Sequence, residues 1–72
     1  MTQVYKSVEL VGVSATSFDE AVRVAVKRAG ETIRGLQWLE VLEQRAYLHD
    51  GELREFQVKV RIWFSLESGA QV

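Results

Sequence analysis

The 72 residues predict an α+β domain of order β-α-β-β, with one helix packed on one face of a three-stranded antiparallel sheet. Three observations carry this. A capping signal followed by apolar residues at helical spacing marks one helix in the first half of the chain. Long alternation of apolar and polar residues marks a strand near the C-terminal end. An Asp-Gly pair just before that strand marks a tight hairpin.

Val4 to Gly12 reads as the first strand, on its β-branched content and the stop at Gly12. Ser17 opens the helix, and Glu20 completes a capping box in which each side chain satisfies a backbone N–H at the other residue. Phe18, Ala21, Val22, Ala25, Ala29 and Ile33 form one apolar stripe. Asp19–Arg23 and Lys27–Glu31 are expected ion pairs on the wet side. Arg34 falls in the last turn and Gly35 at the left-handed position after it, giving a helix of about 18 residues and about 27 Å. Leu36 to Leu48 is the second strand. His49-Asp50-Gly51-Glu52 is the turn, since Asp-Gly tolerates the positive φ angles of type I′. Leu53 to Glu67 is the third strand: Phe56, Val58, Val60, Ile62, Phe64 and Leu66 alternate with Gln57, Lys59, Arg61, Trp63 and Ser65. Ser68 to Val72 reads as a frayed tail, and residues 1–72 as a single domain.

Size and composition narrow the function. Nine basic residues against ten acidic give a net charge of −1, which counts against nucleic-acid and membrane-surface partners. No apolar stretch approaches the ~20 residues that span a bilayer, and the N-terminus lacks an apolar signal run, so the chain reads as soluble and cytoplasmic. There is no Cys and one His, which excludes disulfides and a thiolate or His-rich metal site. A domain this small buries only about 60% of its unfolded surface. Oligomerisation is the remaining remedy.

One helix cannot cover both faces of the sheet. Counting outward from a two-residue turn, Trp38 pairs with Trp63, Glu40 with Arg61, Leu42 with Lys59 and Gln44 with Gln57 on the open face. Arg45 then falls on the helix side, unless a bulge shifts the register. Trp38 is the residue that demands an explanation. A large aromatic ring on the polar side of a small sheet is covered by a flat ligand or by another copy of the chain.

These residues in this order resemble the dodecins, small flavin-binding proteins that assemble as hollow shells of twelve chains. The similarity runs from about Tyr5 to Glu67. It is carried by Val8-Glu9-Leu10-Val11-Gly12-Val13-Ser14, the Ala-rich helix ending Thr32-Ile33-Arg34, Trp38-Leu39-Glu40-Val41, Phe56-Gln57-Val58 and Phe64-Ser65-Leu66-Glu67. The resemblance implies that Trp38 stacks on an isoalloxazine ring, with flavins held in pairs between two such indoles of neighbouring subunits. It implies that Gln57 hydrogen-bonds the pyrimidine edge of the ring and that Arg45 serves the flavin side chain and its phosphate. The region of Arg28, Thr32 and Arg34 binds coenzyme A in some members. Many bacterial members carry Arg where this chain has Ser65, which makes riboflavin and FMN harder to separate here; FAD is a further candidate. Many carry a small residue where this chain has Trp63. The expected function is a non-enzymatic flavin store and quencher, acting as a homododecamer.

The chemistry fits that expectation. Indole is electron-rich and flat, whereas isoalloxazine is flat, electron-poor and amphipathic. A neutral amide offers both donor and acceptor to the mixed edge of the ring. The competing reading is an oligomeric scaffold in which Trp38 makes only subunit contacts. An RNA-binding module is disfavoured by the near-neutral charge and the lack of a Gly-rich clamp, and Glu9, Glu20, Glu40 and Glu43 form no paired acid/base arrangement.

Overall fold

Two serines set the path from sheet to helix. Ser14 closes the first strand, and its buried hydroxyl accepts from the N–H groups of Thr16 at 2.9 Å and Ser17 at 3.3 Å, which turns the chain. Ser17 then caps the helix by accepting from the N–H of Glu20 at 3.0 Å. Only half of the expected capping box forms, because the Ser17 N–H is taken by Ser14 and not by Glu20.

The structure, a computed structural model describing residues 2–66, has β1 (Tyr5–Ser14), α1 (Phe18–Gly30), β2 (Leu36–His49) and β3 (Glu52–Ser65) in the expected order. The expected tail at 68–72 and the end of the third strand at Glu67 lie outside the described residues. The sheet order is β1-β3-β2, antiparallel throughout, with β3 in the centre.

The helix is shorter than its apolar stripe suggests: it ends at Gly30 and not at Arg34. Glycine weakens a helix interior, and the β-branched Thr32 and Ile33 follow. The last turn tightens instead, with Glu31 N–H on the Arg28 carbonyl at 3.2 Å and Thr32 N–H on the Ala29 carbonyl at 3.3 Å. Gly35 does take a positive φ of 75°, but as the entry to β2 and not as a helix cap. Asp19 and Arg23 pair at 3.0 Å as expected, whereas Glu31 lies 3.7 Å from Arg28 and not against Lys27.

Ala21, Ala25 and Ala29 of α1 are buried against Val58, Val60 and Ile62 of β3. Val8, Leu10, Phe18, Val22, Val26, Leu36 and Leu39 surround them. Phe18 meets Phe56 edge-on at 5.0 Å. Gly12, expected to end a strand, instead lies inside one. A Cβ built there would fall 1.9 Å from the Ala21 carbonyl oxygen, so only glycine admits the helix at this separation.

The hairpin turn is type I′, with φ of 52° at Asp50 and 78° at Gly51, and His49 faces Glu52 as counted. Beyond Leu48 the register departs from the uninterrupted count. Irregularities fall between Tyr47 and Leu48, between Val41 and Glu43, and between Leu36 and Trp38. The first shifts the pairing by one position, and the second restores it.

Coverage by the helix is partial. Thirteen helical residues span about 20 Å, against about 46 Å for each hairpin strand. Past the helix, Leu48 and Leu53 remain 57% and 61% exposed. The Cα radius of gyration is 14.8 Å, whereas a compact chain of this length has about 11 Å.

Gly12→Ala is expected to cost at least about 1–3 kcal/mol, because backbone must move to admit the methyl group. Urea unfolding at fixed chain concentration measures it, and an unchanged midpoint would mean that the helix can lift off the sheet freely.

Candidate functional site

Period-2 alternation sends Tyr5, Ser7, Glu9, Val11 and Val13 of β1 to the open face, since each pairs with an outward residue of β3. On β2 that face carries Trp38, Glu40, Glu43, Arg45 and Tyr47, opposite Trp63, Arg61, Lys59, Gln57 and Glu55. The face divides into an aromatic end, a charged middle and an amide end.

At the aromatic end Trp38 pairs directly with Trp63, as counted from the turn. The two rings are near-parallel, at 22° with centroids 6.0 Å apart. Tyr5 leans on Trp38 from β1 with centroids 4.9 Å apart and planes at 59°. The Trp63 indole N–H donates to Glu40 Oε1 at 2.9 Å. Trp38 remains 48% exposed. A pocket of about 280 Å³ opens beside it on the helix side, lined by Val26, Leu36, Gln37, Leu39 and Ile62 as well as Trp38 itself.

In the middle, Arg61 Nη2 donates to Glu9 Oε2 at 2.7 Å, and Lys59 Nζ lies 3.9 Å from the other Glu9 oxygen. The hydrogen bond from Arg61 holds the Glu9 carboxyl below its ordinary value of 4.5, partial desolvation opposes this, and the charges of Arg61 and Lys59 add to the lowering. The Arg61 guanidinium is raised by the same bond.

At the amide end the register shift corrects three expectations. Leu42 is the extra residue of a bulge and so does not pair with Lys59, whose partner is Glu43; Gln44 pairs with Val58 and not with Gln57. Arg45 therefore comes to the open face as the partner of Gln57. Arg45 Nε donates to Gln57 Oε1 at 2.7 Å, Gln57 Nε2 donates to Glu55 Oε1 at 3.1 Å, and Arg45 Nη1 lies 3.5 Å from Glu43 Oε1. Each polar atom of the Gln57 amide retains capacity for one further bond, and the Arg45 fork keeps free donors.

Trp38 and Gln57 do not come together in one chain. Their β3 coordinates, Trp63 and Gln57, are about 20 Å apart along the strand. Arg28 lies in the last turn of α1, whereas Thr32 and Arg34 lie in the connection to β2 and not in the helix as expected; all three are exposed. Tyr5 and Glu40 were missed as members of the aromatic group. The outward parity shared by Tyr5 and Glu9 could have placed the first, and the two-residue step from Trp38 the second. Among the described residues no group of three or more His, Asp or Glu side chains is arranged to hold a metal ion, and no helix is long and apolar enough to cross a membrane.

The dodecin family profile matches residues 4–67. This chain belongs to the dodecin family. A dodecin from Thermus thermophilus is 42% identical over 67 residues, which is 93% of this chain and 97% of that protein. The solved structure of dodecin from Streptomyces coelicolor matches with a TM-score of 0.87 at 40% identity, over 93% of this chain and 96% of that one. Calcium dodecin from Mycobacterium tuberculosis is 27% identical over 63 residues, covering 88% of this chain and 89% of that protein. Its crystal structure, described as having a novel calcium-binding site, matches with a TM-score of 0.77 at 26% identity, over 96% and 99% of the two chains. Membership supports a small protein of flavin-binding type and implies a homo-oligomer.

Because folding lowers the Glu9 pKa, the bond to Arg61 stabilises the fold fully above pH 4.5 and is lost as pH falls through the folded value. Glu9→Gln is thus expected to lower the thermal midpoint near neutral pH, the deficit shrinking below pH 4.5. A Glu9 carboxyl that titrates at or above its ordinary value by NMR would contradict this.

Proposed function

We propose that this dodecin is a non-enzymatic flavin store and quencher, a homododecamer in which Trp38 stacks on flavin and Gln57 and Arg45 of a neighbouring subunit bind its polar parts. The observation that carries the reading is the division of the open face: a half-exposed indole at one end and an amide–guanidinium pair about 20 Å away. One ring system cannot reach both within a chain. Two chains related by symmetry can bring the aromatic end of one to the amide end of the other.

The residues suit the ligand. Trp38 offers a flat apolar surface, held in place by Tyr5 and Trp63. Gln57 still has one acceptor and one donor position for the ring edge. Arg45 sets a guanidinium beside it; its charge is shared with Glu43, and its free donors suit the polar side chain of riboflavin or FMN. A bound flavin supplies a light-absorbing, electron-poor ring. Trp38 in contact with it can give an electron to the excited ring and take it back, which returns the energy as heat. In the charged middle Glu9 and Arg61 are engaged with each other.

Trp38→Ala is expected to remove most flavin affinity, since one stacked aromatic face is worth about 1–3 kcal/mol and each flavin pair meets two. Gln57→Ala is expected to cost less, about 0.5–1.5 kcal/mol. Titration of riboflavin and FMN by fluorescence quenching, with light scattering to confirm assembly, measures both. Wild-type quenching in an assembled Trp38→Ala protein would assign the indole to subunit packing and favour the scaffold reading.

A further inference from the structure

Trp38 has a second indole against it, and that second indole has a carboxylate. The arrangement follows from register. Trp63 is the cross-strand partner of Trp38, and Glu40 lies two residues along β2 on the same face. The rings are near-parallel and 6.0 Å apart between centroids, and the Trp63 N–H donates to Glu40 at 2.9 Å. Tyr5 is also near Trp38, but its plane is tilted by 59°, which gives poorer overlap between the π systems. Arg61, the partner of Glu40 across the ladder, donates to Glu9 at 2.7 Å and feels Glu40 only through its charge, so the indole N–H is the hydrogen-bond donor to Glu40.

Removing an electron from an indole leaves a positive charge on the ring and makes its N–H a strong acid. A carboxylate already accepting from that N–H favours the charge and can take the proton, because charge-assisted hydrogen bonds are the strong ones. The half-buried Trp63 has this support. Trp38, the more exposed ring, is the one a ligand or soluble oxidant meets first.

We infer that Trp38 and Trp63 form a two-indole relay poised by Glu40. Trp38 gives one electron to the excited ring stacked on it. Trp63 gives one electron to the oxidised Trp38, and its indole proton passes to Glu40. On return, the electron comes back to Trp63 and the proton moves from Glu40 to the indole nitrogen. No bond between heavy atoms forms or breaks, and no net oxidation remains. Trp63 and Glu40 are positioning and tuning residues that act through Trp38. The relay rests on the flavin reading for the identity of the natural oxidant only.

The test uses the assembled, ligand-free protein. Flash photolysis with a soluble ruthenium polypyridyl oxidant and a sacrificial electron acceptor creates the tryptophan radical cation. Its visible band is distinct from that of the neutral radical formed on proton loss. In the wild-type protein the cation band is expected to give way rapidly to the neutral band. Glu40→Gln is expected to slow that conversion about ten-fold, the loss of one hydrogen bond to a charged group. Trp63→Phe is expected to leave a cation on Trp38 that lacks the fast step. Equal cation lifetimes in the wild-type and Glu40→Gln proteins would overturn the relay, and that variant decides the matter if Trp63→Phe fails to assemble. A flavin titration of the same samples separates the two readings: absent binding overturns the flavin reading and leaves the radical kinetics intact, whereas binding without the fast step overturns the relay alone.

Discussion

The backbone of α1 at Ala21 lies so close to Gly12 that no side chain fits between them, and this contact decides which part of the sheet is covered. The Ala21, Ala25 and Ala29 stripe keeps the helix low on β1 and β3. A helix held that close and only about 20 Å long cannot also cover a hairpin twice its length. β2 contributes Leu36 and Leu39 to the core and little else. The far end of the hairpin and the whole opposite face have no cover from the helix. The small core and the oligomer are thus two results of one packing choice.

On the opposite face, charge separates function. The Glu9–Arg61–Lys59 group occupies the middle, satisfied within the chain, and holds the aromatic and amide ends apart. Under the proposed reading each end alone is an incomplete flavin site, and each has spare hydrogen-bonding or stacking capacity. Binding under the proposed reading then links to assembly, because a ligand that needs two subunits stabilises only the assembled state.

Most of this fold was legible in the sequence. The alternation in β3 and the Asp50-Gly51 turn set the faces, and Trp38 pairs with Trp63 as counted because two opposite bulges between them and the turn cancel. Helix length was not legible, because Ile33 continues the apolar spacing after the helix has ended at Gly30. Arg45 was assigned to the wrong face by one residue. Bulges depend on local twist and packing, for which alternation carries no signal, and here an extra residue near the turn moved Arg45 beside Gln57. The role of Gly12 was misread for a related reason. A glycine needed for close approach and a glycine that ends a strand look the same until the helix is placed.

The claim on which this account rests is that the two ends of the open face, from different chains, complete one site. Co-refolding of Trp38→Ala chains with Gln57→Ala chains tests it directly, with mixed shells verified by native mass spectrometry. Mixed shells are expected to bind more flavin than either parent shell, because intact Trp38 and intact Gln57 meet at some interfaces. Binding no better than the parents, in shells shown to be mixed, would contradict the account.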